Sequence, residues 1–269
     1  MLIRIAASFL LVSAALSASA QSSPSSFRIY GAADHDTPTP THSTKTGSDP
    51  GALQQFVEFV KASGVAGWKG MTAQGTISYS GGTQSFPARL YLRDSTATRL
   101  DVDRSDGTDS IILSGNLGVF RGSDKKRFPF SSDFAQLGIA TFSRILSPDY
   151  PTINSILTDR GIVAIGGASL HRISLDDPAT DVTGSAWKTI DLYFDPTTNY
   201  LSKSTSFLRL SSADAALYMV SISYEDYRKD GIAILPHRIV YSLNGNVNWT
   251  LQLDTIDLSS IPALSSFSF

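Results

Sequence analysis

The sequence predicts a mainly β (α+β) domain: one curved antiparallel sheet forming an incomplete β-barrel of about 10–12 strands, with two or three helices on its concave side. Three observations carry this. Ala216 to Leu258 holds three β-rich runs separated by Lys229-Asp230-Gly231 and Asn244-Gly245, whose Asp-Gly and Asn-Gly dipeptides accept the positive φ of tight hairpin turns. Within those runs apolar and polar residues alternate: Val220, Ile222 and Tyr224 against Ser221, Ser223 and Glu225, then Trp249, Leu251 and Leu253 against Asn248, Thr250 and Gln252. Period two with one polar side gives a sheet that is dry on one face and wet on the other. Finally, the 269 residues are 42% apolar and 17% charged, enough for a sizeable core, and no linker-like stretch follows residue 50. A sheet this long must curl to cover its dry face.

Residues 1–20 read as a signal peptide: Arg4 is the positive start, Ile5 to Leu16 the apolar run, and Ala18-Ser19-Ala20 a small-residue cleavage site. The run is too short for a membrane anchor. With no cysteine in the chain there is neither an acylation site nor a disulfide. Export without disulfides points to a bacterial periplasm and an unanchored protein. Residues 21–49, rich in Ser, Thr, Pro and Gly, form a flexible leader, and residues 50–269 a single domain. Asp34, His35, Asp36 and His42 lie in that leader, where solvated side chains are the expectation rather than metal ligands.

Asp49 suits an N-cap and Pro50 the first helical position, with Leu53, Phe56, Val57 and Val60 on one face and Gly64 as the left-handed stop. Five strands follow: Met71–Tyr79, Ser85–Arg93, Ala97–Asp103, Ser110–Ser114 and Leu117–Arg121. In them Leu90, Leu92, Leu100 and Val102 alternate with Arg89, Tyr91, Arg99 and Asp101. The aspartates at 101, 103, 106 and 109 do not make a calcium loop, because Asp106 stands where that loop needs glycine and no closing Glu follows. Phe128-Pro129-Phe130 closes the first meander. Asp133 caps a second helix in which Phe134, Leu137, Phe142, Ile145 and Leu146 share a face, and Ile153, Ile156 and Leu157 suggest a short third. Strands resume at Ile162–Ile165, Ser169–Leu175, Trp187–Asp195 and Tyr200–Leu210. In the third of these Ile190, Leu192 and Phe194 alternate with Thr189, Asp191 and Tyr193.

Several stretches resemble the LolA-like periplasmic lipoprotein carriers. Gly75-Thr-Ile-Ser-Tyr, Ala88-Arg-Leu-Tyr-Leu-Arg and Thr98-Arg-Leu-Asp-Val are similar to the start of that family. Leu192-Tyr-Phe-Asp-Pro, Tyr224-Glu-Asp-Tyr-Arg, Gly231-Ile-Ala-Ile-Leu-Pro-His-Arg-Ile and Pro262 to Phe269 are similar to its C-terminal half. The resemblance, over roughly residues 50–269, implies an unclosed barrel whose apolar concavity takes acyl chains under a helical lid. It also implies an arginine in an early strand that holds the lid; Arg99 matches by position, although its neighbours Thr98 and Leu100 replace the usual Pro and aromatic residues.

Catalytic chemistry finds little support. There is no Cys, no Gly-x-Ser-x-Gly, no His-Glu-x-x-His and no phosphate or dinucleotide loop. His171 and His237 fall inside strands, where packing is the default role. Glu225 and Asp226 are adjacent on a strand and should point to opposite faces. Tyr218, Tyr224, Tyr227 and Tyr241 read as ordinary strand aromatics rather than a sugar platform, and Asn248-Trp249-Thr250 matches a glycosylation sequon but reads as strand. A net charge of −2 without a basic cluster disfavours nucleic acid. The expectation is therefore a non-enzymatic, monomeric periplasmic carrier without cofactor or metal. It would bind a lipid or lipoprotein acyl chain, with a membrane-associated donor or acceptor as a further partner. Leu90, Leu92, Arg99, Leu100, Val102, Phe134, Leu137, Phe142, Ile190, Leu192 and Phe194 are the candidate binding residues. The alternative is a sensing or structural module that binds proteins through the sheet.

Overall fold

Two meanders running outward from a shared seam build the sheet. In the computed structural model, residues 47–66, 68–80, 82–93, 97–114, 117–131, 145, 155–178, 187–208 and 218–269 are described. Helix α1 (Pro50–Ser63) comes first. The first meander is β1 (Gly70–Tyr79), β2 (Ser85–Arg93), β3 (Ala97–Arg104), β4 (Gly107–Ser114), β5 (Leu117–Arg121) and β6 (Arg127–Ser131). The second is β7 (Ile156–Ile165), β8 (Ala168–Pro178), β9 (Trp187–Phe194), β10 (Leu201–Leu208), β11 (Tyr218–Asp230), β12 (Ala233–Leu243) and β13 (Asn246–Asp257), followed by a 3-10 turn at Leu264–Phe267. All join in one 13-stranded sheet ordered β6-β5-β4-β3-β2-β1-β13-β12-β11-β10-β9-β8-β7. The first and last strands meet at the centre, and β6 and β7 are the two edges. The sheet is curved and unclosed.

Local chemistry explains the hairpins. Asn244 (φ 49°) and Gly245 (φ 78°) make a primed turn whose twist matches the flanking strands. At the seam β13 carries a bulge, with Asp254 as the extra residue opposite Gln74 and Gly75 of β1. A Cβ on Gly75 would lie 1.9 Å from the Gln252 carbonyl oxygen, so only glycine allows β1 and β13 to approach there. Edge protection is explicit. The Asp49 N–H donates to the Leu157 carbonyl (2.8 Å), the Leu157 N–H to the Ser48 hydroxyl (2.9 Å), and the Asp159 N–H to the Asp49 carboxylate (3.0 Å). This occupies part of the free rim of β7. The β6 edge contains Pro129, which has no N–H to offer a neighbour.

The structure corrects several expectations. The sheet has 13 strands rather than about 10–12, because Arg127–Ser131 is a strand and not merely the end of a meander. β7 begins at Ile156, where a third helix was expected; a bulge between Asp159 and Ile162, with Gly161 at φ 73°, absorbs the turn-like Asp-Arg-Gly. Among the described residues there is one α-helix; the expected helix from Asp133 lies outside them, apart from Ile145. The buried face of α1 is Ala52, Phe56, Phe59 and Ser63, whereas Leu53 and Val57 are 43% and 56% exposed. The helix is rotated so that both phenylalanines, with the largest apolar area, face the sheet. Gly64 ends it in the left-handed conformation (φ 64°), and a Cβ there would lie 2.4 Å from the Ile232 carbonyl oxygen. Finally, Asp226 adopts φ 55°, which brings its carboxylate to Gln252, a cross-strand neighbour of Arg238, the partner of Glu225. The two adjacent carboxylates therefore share one face instead of opposing each other.

Candidate functional site

Strand parity places one continuous apolar surface on the concave side. Leu90 pairs with Leu100 and Ala88 with Val102 across β2 and β3; Ile173 pairs with Leu192 and Leu175 with Ile190 across β8 and β9. Seven of the sequence-predicted residues, Leu90, Leu92, Leu100, Val102, Ile190, Leu192 and Phe194, belong to this cluster, none more than 3% exposed. The helix supplies its own contribution from the second meander's side, with Phe59 tilted on Phe194 at 5.5 Å between ring centroids. Ile145 joins the cluster at 1% exposure. That position is informative, because the chain leaves β6 at one edge and enters β7 at the other. Phe134, Leu137 and Phe142 lie outside the described residues.

Arg99 does not join them. It lies one residue out of phase with Leu100, on the other face, where Nε pairs with Asp101 (2.8 Å) and Nη1 donates to the Ser266 carbonyl (2.9 Å). Its guanidinium lies 5.8 Å from the Tyr91 ring centroid. Arg93 likewise donates to the Pro262 carbonyl (2.7 Å), and Phe267 is buried against Ala97 and Ile112. Arg99 therefore ties down the C-terminal turn behind the first meander. Sequence reasoning omitted Met71, Ile77, Ile222, Leu235 and Trp249 from the site, although all belong to the same cluster. Their alternation was visible in the sequence.

Polar groups around this surface are engaged structurally. His171 faces Gln55 Oε1 through Nδ1 (3.0 Å) and Asp159 Oδ1 through Nε2 (2.8 Å), while Gln55 Nε2 donates to Asn199 Oδ1 (3.1 Å). The ring thus bridges α1 to β7. Asp159 is held below the usual carboxylate range: burial opposes this, but hydrogen bonds from His171 and the Gly161 N–H outweigh it. His237, 2% exposed, faces the Leu253 carbonyl through Nδ1 (2.7 Å) and Asp230 through Nε2 (2.8 Å). It serves a carbonyl just beyond the Arg238–Gln252 pair, the last that joins β12 to β13. With both ring nitrogens occupied, neither histidine is arranged as a base for a nucleophile. On the opposite face of β8 and β9, Asp191 accepts from Arg172 (2.7 Å) and Ser174 (2.5 Å), and burial pushes its carboxyl up despite them.

One end of the concave face is aromatic and charged. Phe86, Tyr79, Trp249 and Tyr241 follow one another across β2, β1, β13 and β12, with Tyr241 stacked on Trp249 at 5.2 Å. Arg104, in phase with Leu100 and Val102, lies 4.4 Å over the Phe86 ring and 5.4 Å from that of Tyr79. Its Nε donates to Asp109 Oδ2 (2.6 Å).

The unclosed antiparallel sheet with one apolar face recurs among known proteins. The structure is similar to a LolA superfamily protein from Nitrosomonas europaea, at 11% identity and a TM-score of 0.55, covering 81% of this chain and 97% of that one. It is also similar to a domain assigned to outer membrane lipoprotein sorting, from Vibrio parahaemolyticus, at 12% identity and a TM-score of 0.53, covering 80% and 97%. No protein-family model matches the sequence, and no curated protein matches it by sequence. The fold is LolA-like. Among the described residues no helix is long and apolar enough to cross a membrane.

Proposed function

We propose that this protein is a periplasmic carrier that holds the acyl chain of a lipid or lipoprotein on the concave face of its sheet. The observation that supports this best is the continuous apolar surface running from Leu90 and Leu100 to Ile190 and Phe194 in a fold shared with lipoprotein-sorting proteins. Each methylene moved from water onto that surface contributes about 0.8 kcal/mol, so part of one chain gives useful and reversible affinity. These residues are buried, so an incoming chain must displace what covers them. The segment between β6 and β7, which contains Phe134, Leu137, Phe142 and Ile145, is the cover we assign to that role. Export without a lipid anchor would let the complex cross an aqueous compartment to a membrane-associated acceptor.

The same burial favours a second reading, in which the cover fills the concavity permanently and the sheet edges bind a protein partner. Displacement of a fluorescent fatty acid separates the two. The carrier reading expects saturable binding that a folded Leu92→Glu variant loses. No saturable binding by the wild type, or binding indifferent to Leu92→Glu, establishes the filled core instead.

A further inference from the structure

We infer that Arg104 forms a headgroup site, receiving the anionic oxygen group (a carboxylate or phosphate) at the end of an acyl chain lying on the concave face. This rests on the carrier reading for the chain, whereas the anion is argued from Arg104 itself.

The side chain is 8% exposed, at the end of the sheet that carries the β1–β2, β3–β4 and β12–β13 turns, away from the Gly64 end of α1. A guanidinium has five N–H donors in a rigid fork. Asp109 takes the one at Nε, while Nη2 is buried with no hydrogen-bond partner. Asp109 cannot readily turn to serve both, because its other oxygen accepts the Ser123 N–H (2.9 Å). Buried charged donors are normally satisfied, and one left open at the end of an apolar surface matches a ligand acceptor. The aromatic faces of Phe86 and Tyr79 hold the guanidinium plane in place, so little ordering is needed on binding.

The surroundings suit an amphiphile. Burial pushes the Tyr79 hydroxyl up to about 12, against the charge of Arg104 and an interaction with its guanidinium, so a neutral hydroxyl lies beside the same position. Phe86, Trp249 and Tyr241 offer an apolar wall for the first methylenes, and Val102 and Leu100 continue it in phase with Arg104. The Ser123 bond also ties in the β5–β6 turn, where Arg121, Lys125, Lys126 and Arg127 outnumber Asp124. That turn adds a positive field at the end where an anionic headgroup would enter.

The test compares cis-parinaric acid with its methyl ester, which share a fluorescent chain and differ in charge. The wild type should bind the acid about tenfold more tightly, a difference of about 1.4 kcal/mol. Arg104→Gln should bring the two affinities together. Asp109→Asn, which removes the carboxylate competing for the fork, should widen the gap. Equal affinities in the wild type, or an unchanged ratio in Arg104→Gln, overturn the headgroup site while leaving the carrier reading intact; failure of both ligands to bind the wild type overturns both. If Arg104→Gln does not fold, Arg104→Lys decides: a reduced preference for the acid supports the site and an unchanged one overturns it. Inorganic phosphate displacing the acid at comparable concentration would assign the site to free oxyanions and overturn the lipid source.

Discussion

The two meanders bury their concave faces equally well but close them differently. Behind the second, α1 is held by several independent ties: Phe59 on Phe194, Gly64 against the Ile232 carbonyl, Gln55 and Asp159 on His171, and Asp49 on the β7 rim. The first meander receives no comparable clamp from α1. Its C-terminal turn is fastened to the outer face by Arg93 and Arg99. A cover fixed by directional polar ties at both ends resists removal, because each broken tie exposes a buried group. The two halves therefore differ in what their polar ties hold: α1 on the second meander, the C-terminal turn on the outer face of the first.

The largest effect is expected where the meanders join. Trp249 is 3% and Leu251 0% exposed on β13, so Trp249→Ala should cost about 3–5 and Leu251→Ala about 2–5 kcal/mol. Gln252, on the opposite face, should change stability by no more than about 0.5 kcal/mol. Urea midpoints measure this, and three equal values would mean that the seam does not unite the two halves.

A smaller loss, about 1–2 kcal/mol, is expected for Arg99→Ala, which breaks the bond to Ser266 and leaves the largely buried Asp101 without this cation. Hydrogen exchange should accelerate at residues 264–269 but not in α1. Acceleration in α1 would show that the two covers are coupled, and the comparison would fail.

The smallest effect concerns the clamp on α1. Because the Asp159 carboxyl is depressed in the folded state, its contribution is fully present above about pH 4 and lost as pH falls through the folded value. Asp159→Asn should therefore lie below the wild type in urea midpoint at neutral pH, with the gap closing in acid. A gap that is constant with pH, or grows on acidification, would remove Asp159 from the clamp.

Legibility followed the range of the interactions. The apolar face was readable because alternation is local: Leu90, Leu92, Ile190 and Leu192 are in phase whatever lies opposite. The LolA-like fold was likewise legible from the sequence of elements. The face of α1 was misjudged because Leu53 and Val57 satisfy the same periodicity as Ala52 and Phe59, and only contact with β9 and its neighbours selects between them. Arg99 was placed on the outer side of its strand by parity, yet its partner, Ser266, lies 167 residues away. Arg104 attracted no notice at all, since an arginine at a strand end is usually solvated.

What the sequence by itself determined was whatever a single strand or turn enforces: the in-out alternation, the Asn244-Gly245 hairpin, Pro50 and Gly64 bounding the helix. Tertiary structure alone decided that β13 closes on β1, that Gly75 must lack a side chain there, and that Arg104 is buried over Phe86 with a donor left open. The physical reason is that steric and periodic preferences act over a few residues, whereas pairing, close approach and desolvation depend on which distant surface arrives to share them.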